Sequence, residues 1–588
     1  VWGGLGLGLG IAALPALLAW TVNPWFMDAP HAYLLLVSLP LALLGALLGW
    51  LSRRLLTRAP RWSFGLCLAV GLGGFVTPPL LGAWPRPDPV SELRLLVFGL
   101  DGATFHILDA QRARLPTFER LEREGVRATL LSMEPMFSPL VWTTMATGQP
   151  PEVHGIHGFH TSATDCLAPR FWDLMADEGM RVGIYKWLVT YPPDRRTAFM
   201  VPAWLAPATE TWPEDLAFIK EIELSRRLKR KRIESRRAAP MLLLDGVRHG
   251  FRVGTLAEAL RFVLQERLGR ASAERSLRDA QLLRVRMDRD LFLWALHRHR
   301  PEVATFTDYA TDALGHHFWR YYEPSRFPGL APEAVARWGS TLPDTYAQAD
   351  EILAEMLANA SPDLHVVMVS DHGFRAMESS DEGRYFVPTT RRLQERLGAA
   401  LGQVEVSRMG HKIVVSVRRG GEEALLRLEE QLQSLRDDAS GEPFYRWERV
   451  PDSDFALGLT LRDEEVPAER LVRGTVGGEP LSDYVSRTEA YSGEHAREGV
   501  FLAMGPGIAR AARLPALELV DVAPTLLSMV GLAGSKDMPG RVPDGLWSEP
   551  PALPPEPATF MDRVSGRRLL SGQDGVNEEQ LRVLGYVE

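Results

Sequence analysis

A chain of 588 residues is too long for one hydrophobic core, so at least two units are expected. Hydrophobic residues at 46% and charged residues at 24% are ordinary for a globular protein, but the charge is unevenly divided. Residues 1–90 hold five arginines and two aspartates, a surplus of +3, so the remainder must carry −11 to reach the net of −8. That acidic majority argues against nucleic acid as a bulk electrostatic partner. The two cysteines, Cys67 and Cys166, have no CxxC neighbour, which leaves thiolate zinc sites and disulfide frameworks unsupported.

The N-terminus is read as a membrane domain. Residues 1–21 are uncharged, His31–Ser52 has one histidine and no formal charge, and Ser63–Trp84 is again uncharged. Each run can cross a hydrocarbon core of ~30 Å at about 1.5 Å per residue. One such run fits a cleaved signal peptide; three in succession do not. Residues 1–84 are therefore expected to form an anchor of three transmembrane helices in contact with lipid, and the proline-rich stretch 85–92 a stiff linker. The segment between the second and third runs holds Arg53, Arg54, Arg58 and Arg61, whereas Thr21–Pro30 holds no basic residue. Positive charge stays inside, so everything after Trp84 is expected outside the cytoplasm, periplasmic or extracellular.

The remainder, 93–588, reads as α/β. Leu93–Leu100 (LRLLVFGL) is an apolar run ending at Asp101, the pattern of a buried parallel strand. Val303–Thr307 precedes Asp308, and His365–Ser370 precedes Asp371-His372-Gly373. Helical patterns lie between, as at Leu115–Glu124 and Tyr346–Asn359. Such alternation predicts a mostly parallel sheet flanked by helices, with ligands beyond the carboxyl ends of its strands. Two stretches do not fit the sheet and are read as insertions, at about 210–300 and 375–490. The first carries the basic run Ser225–Arg237, either a solvated helix face or a contact for anionic lipid headgroups. The second is read as an inserted cap.

Five segments carry chemistry. They are Asp101; the run FSPLVWTTMATG at 137–148, followed by Pro150 and His154-Gly-Ile156; Asp312-Ala-Leu-Gly-His316; Asp371-His372-Gly373; and Gly493-Glu-His495, leading to Met504-Gly-Pro-Gly507. Oxygen and imidazole donors without thiolates suit two divalent metal ions, zinc first and manganese as the alternative. A phosphate ester needs such ions because its negative charge repels nucleophiles.

In this order the segments resemble the type I phosphodiesterase and nucleotide pyrophosphatase branch of the alkaline phosphatase superfamily. The resemblance extends to Asp521–Leu527 and Met538–Arg541, and spans about Leu93–Leu546 without the insertions. It implies an alkaline phosphatase-like fold and a Thr or Ser nucleophile nine residues before Thr147, which is Ser138. It also implies one metal on Asp101, Ser138, Asp371 and His372, and the other on Asp312, His316 and His495. Ser138 would attack phosphorus and water would release the product. Where nucleotide pyrophosphatases carry an asparagine this chain has Val141, and no sulfatase modification motif follows Ser138. Lys186, Trp187, His157 and His160 are candidates for substrate contact, or else a surface lysine, a packed indole and solvated imidazoles.

The leading expectation is a membrane-anchored hydrolase of a phosphate mono- or diester at the membrane surface. A phosphotransferase moving a headgroup to a glycan or lipid would use the same residues, and a non-catalytic scaffold is the third possibility. The topology is directly testable. A reporter fused after Arg58 is expected in the cytoplasm and one fused after Asp88 outside it; cytoplasmic signal from both would remove the three-segment anchor.

Overall fold

The computed structural model describes residues 88–224, 239–269, 271–377, 385–462 and 473–559, apart from 403, 410, 411, 418–420, 452, 454, 489, 490, 557 and 558. The three apolar segments expected over 1–84 and the basic run 225–237 lie outside these residues. Among the described residues no helix is long and apolar enough to cross a membrane.

The chain divides into two compact units. The described part of the smaller consists of helices Ala239–Arg248, Val253–Arg267 and Ala273–His299. Asp290 organises it, accepting Arg252 N–H at 3.0 Å and Thr255 Oγ1 at 2.7 Å where the middle helix begins. These bonds occupy donors that a helix start otherwise leaves unpaired.

The larger unit is built on a nine-stranded sheet. Its strands are β1 (Leu95–Leu100), β2 (Val126–Leu131), β3 (Val182–Tyr185), β4 (Phe199–Val201), β5 (Val303–Asp308), β6 (His365–Val369), β7 (Glu498–Met504), β8 (Ala512–Arg513) and β9 (Leu517–Glu518). The order is β8-β2-β7-β6-β1-β5-β3-β4, with β9 also on β2. All pairings are parallel except those of β7, which opposes both β2 and β6. The mixed α/β architecture with a mostly parallel sheet thus agrees with the sequence pattern. The three strands legible as apolar runs ending in acids, β6, β1 and β5, are adjacent at the centre. Their near-continuous apolar character follows from burial on both faces.

One helix lies at the heart of the packing. Ser138–Thr147 (α1) is buried at all ten positions. Pro139 suits its first turn, and Gly148 ends it at φ 63°, donating its N–H to Thr144 O at 2.9 Å. The hydroxyls of Thr143, Thr144 and Thr147 bond back to the carbonyls four residues earlier, so this polar content is satisfied inside the core. Trp142 from α1 lies over Gly99 of β1. A Cβ there would stand 2.6 Å from the indole, so glycine is what allows the approach.

A hairpin of Gly373–Ala376 and Gly493–Ala496 pairs His495 with Phe374. Between its arms lies a four-stranded antiparallel sheet in the order Tyr445–Arg449, Ala456–Leu461, Lys412–Val417, Val404–Met409. Helices Thr390–Leu401 and Gly421–Ser434 cover it through Leu393, Leu397, Leu425, Leu428 and Leu432, an apolar cluster of its own.

Two glycines make the packing testable. A Cβ at Gly125 would come within 1.9 Å of the Ala503 carbonyl oxygen in β7, and backbone cannot give way cheaply. Gly125→Ala is expected to lower the denaturation free energy by about 3 kcal/mol. Gly398→Ala, in a helix where the nearest neighbour is a flexible side-chain end at 3.5 Å, is expected to leave it unchanged or raise it by up to ~1 kcal/mol. Denaturant midpoints of the two variants measure both.

Candidate metal centre

The carboxyl ends of the central strands supply most of the site. Asp101 follows β1 and Asp371-His372 follows β6. The helix after β5, Ala310–Tyr322 (α2), carries Asp312 and His316 one turn apart, which puts both on one face. His495 arrives by a different route. Because β7 runs antiparallel, it starts at the edge where the parallel strands end, and His495 lies just before that start.

The three imidazoles share one orientation. His316 Nδ1 is 3.0 Å from Gly493 O, His372 Nδ1 is 3.0 Å from Gly373 O, and His495 Nδ1 is 3.2 Å from Met136 O. A carbonyl only accepts, so each Nδ1 donates to it and each Nε2 is turned the other way. His495 Nε2 is 3.2 Å from His316 Nε2 and 3.1 Å from Asp312 Oδ1, and His316 Nε2 is 3.3 Å from the same oxygen. His372 Nε2 is 3.6 Å from Asp101 Oδ1 and 3.4 Å from Asp371 Oδ2. These last three atoms are buried and have no hydrogen-bond partner.

Two tight ligand groups result, Asp312-His316-His495 and Asp101-Asp312-His372. Asp312 belongs to both, while Asp371 joins the second through its contact with His372. Burial pushes the carboxyls of Asp101 and Asp371 well above the usual range, and the neighbouring carboxylates add to it. Burial acts in the same direction on Asp312, but His316 and His495 pull it below the usual range. Burial, with His372 beside it, pushes His495 down to about 3. Buried carboxyls and imidazole Nε2 atoms clustered in this way fit a divalent cation in each group; imidazoles oriented through Nδ1–H to carbonyls are the usual support for such ligands.

Ser138 is the first residue of α1 and is buried. Two residues earlier, Met136 O holds His495. One turn later, Trp142 donates Nε1–H to Asp101 Oδ2 at 3.2 Å. The start of α1 is therefore tied to a residue of each group.

Comparison with known proteins gives the same direction. The model of the type I phosphodiesterase / nucleotide pyrophosphatase family matches residues 95–467. The chain belongs to this family. It is a family of phosphoric ester hydrolases within the alkaline phosphatase superfamily, and it is typically metal-dependent. No curated protein matches the chain.

Within this family member the other candidates fall in different places. Trp187 is fully buried. It donates Nε1–H to Trp142 O at 3.1 Å and packs edge-on against the Trp142 ring at 4.8 Å. Its one polar atom serves the support of α1. Lys186 is also buried, with Nζ 3.6 Å from Glu223 Oε2, and is no surface lysine. His157 packs on Phe455 at 4.2 Å between ring centroids, and His160 is exposed. Two supporting residues escaped sequence reasoning. Trp142 stood in the quoted run without a role, and Thr311, which donates to Asp101 O, adjoins Asp312. Glu405, pushed up to about 7 by burial, lies far along the chain, and nothing in its sequence neighbourhood marks it.

Like charges buried together destabilise a metal-free fold, and a bound cation reverses that sign. In metal-stripped protein at pH 7, Asp371→Asn is expected to raise the melting temperature by on the order of 2 °C. In metal-loaded protein it is expected to lower it. The same sign in both preparations, followed by circular dichroism, would separate Asp371 from the metal centre.

Proposed function

We propose that the chain is a membrane-anchored hydrolase of phosphate mono- or diesters, working through a phosphorylated Ser138 beside two divalent metal ions. The observation that carries this is the trio of Nε2 atoms turned on buried carboxylates, tied to α1 through Met136 and Trp142. Asp101, Asp371 and His372 with Ser138 would hold one ion; Asp312, His316 and His495 would hold the other. The donor set suits zinc, with manganese as the alternative. Bound there, the ions would supply neutralisation of charge on the attacking and leaving oxygens.

The protein's own groups do the rest. Ser138 Oγ attacks phosphorus, and the bond to the ester oxygen breaks as the alcohol leaves with a proton from water. Water then cleaves the phosphoserine, releasing the phosphate product and restoring the hydroxyl. Ser138 opens α1, where the helix dipole favours an anion. Asp312, between the two groups, holds His316 and His495 in position for both steps.

The uncharged N-terminal runs and the basic segment 225–237 support an anchored enzyme acting at the membrane surface outside the cytoplasm. They also support a second reading, in which an alcohol of a glycan or lipid takes the place of water and receives the group. A scaffold without catalysis is disfavoured, because every expected ligand position is filled in sequence and Asp101, Asp312, His316, Asp371, His372 and His495 lie close together.

Ser138→Ala decides the nucleophile. The N-cap position of α1 is Phe137 and Ser138 follows it, so Ser138 does not occupy the capping position. The variant is expected to keep its fold and much of its metal and to lose at least about 1000-fold in kcat. Rapid quenching with labelled substrate is expected to trap phosphate on Ser138 in the parent. Normal turnover by the variant would end the assignment even with both metals bound. Product analysis with and without added alcohol separates hydrolysis from transfer.

A further inference from the structure

The helical part of the smaller unit differs from the rest of the chain in charge. Residues 228–299 hold 17 arginines and lysines against eight aspartates and glutamates, a surplus of +9, so the remainder must carry −17 to reach the net of −8. The positive charge is densest in the run 225–237, with eight basic residues and one acid. A segment so charged, in an acidic protein, attracts an anionic surface.

Within that unit the helix Val253–Arg267 turns its apolar side outward. Glu258 pairs with Arg286, and Glu266 accepts the Ser276 hydroxyl, so the side that meets Ala273–His299 is bridged by polar groups. Leu260, Val263, Leu264 and, at the cap, Leu268 follow at helical spacing on the other side, and they are 45%, 43%, 49% and 58% exposed. Among the described residues these are four of the eight exposed large apolar side chains, so they form a patch and not the scatter of single residues that an ordinary surface shows. Arg261 and Arg267 are exposed on the same stretch. Leucines bordered by arginines, in a basic unit, suit a helix lying in a lipid interface. The leucines reach the acyl boundary and the guanidinium groups stay among anionic headgroups. A nucleic-acid backbone would meet the charge but leave the leucines in water.

We propose that the helix Val253–Arg267 is a membrane contact additional to the N-terminal anchor, with Leu260, Val263, Leu264 and Leu268 entering an anionic lipid surface. The inference rests on the membrane-surface reading above for the protein's place at a bilayer.

The test uses full-length protein with Leu264→Cys in a Cys67→Ser background, labelled with an environment-sensitive fluorophore; Cys166 is buried. The protein is reconstituted in vesicles of phosphatidylcholine with or without phosphatidylglycerol, and the depth of the label is read from quenching by lipids brominated at successive acyl positions. In anionic vesicles the label is expected about 5–10 Å inside the headgroup boundary. In neutral vesicles it is expected nearer the water. Leu260→Asp combined with Leu268→Asp, at exposed positions where a polar side chain costs little stability, is expected to return the label to water. Three results would overturn the proposal while co-flotation with the vesicles left the membrane reading standing. They are unchanged depth in the double variant, equal depth in both lipids, and a label beyond reach of every brominated lipid, as when a second copy or residues 1–84 cover the helix. A protein that does not float with the vesicles would remove the membrane reading itself.

Discussion

Three imidazoles donate Nδ1–H to backbone carbonyls, and this turns their three Nε2 atoms on buried carboxylates and on one another. Burying such a set without a counter-charge is costly, because its polar and charged groups have given up water. The surrounding fold is therefore organised to hold the groups where a cation can satisfy them. Trp142 fixes Asp101 through Oδ2, Gly102 N–H fixes Asp371 through Oδ1 at 3.2 Å, and Thr311 fixes the Asp101 carbonyl. In each carboxylate one oxygen is tethered by the protein and the other is turned inward. Removal of any tether frees a rotamer at a place where the ligand geometry depends on its absence.

The sheet explains why the donors meet. Parallel strands bring their carboxyl ends to one edge, which accounts for Asp101 and Asp371-His372 as neighbours across β1 and β6. The antiparallel β7 is the exception that completes the set, since only an opposed strand can deliver a residue that precedes it to that edge. Ser492 then locks the arriving chain to α2, donating its N–H to His316 O at 2.7 Å and accepting Arg320 N–H at 3.1 Å. The two ligands of one group that come from distant parts of the sequence, His316 and His495, are held together by backbone as well as by their rings.

Much of this was legible in the sequence, and the reasons are local. Apolar runs ending in acids gave β1, β5 and β6 because buried parallel strands need no alternation. Asp312 and His316 were readable because their four-residue spacing places both on one helix face. His495 was singled out in the sequence but given a ligand role only through the family resemblance, because a short Gly-x-His has no periodic signature and β7 pairs antiparallel. Trp187 was open to two readings for a physical reason: an indole beside a lysine at a strand end looks the same in sequence whether it faces a ligand or the core. Only the packing under α1 distinguishes them. Asp312 between both groups was also out of reach, since spacing shows which residues share a face but not which lies midway between two clusters.

The position of the antiparallel insertion has its own logic. Residues 377–492 separate His372 from His495, and an insertion of that length would ordinarily loosen the relation between its ends. Here the ends are paired: Gly373–Ala376 and Gly493–Ala496 form a ladder that Met377 N–H extends to Ser492 O at 2.9 Å. The entropy of closing so long a loop grows only slowly with its length, so a few ladder bonds and a folded interior offset it. The insertion has an apolar cluster of its own, and Val414, Val450, Phe455 and Ala456 also join it to the core beneath the central strands. Positions inside that separate cluster can vary in sequence with less effect on the metal centre than those that join the shared core. The insertion is therefore the place where substrate preference can change while the chemistry beneath it stays fixed.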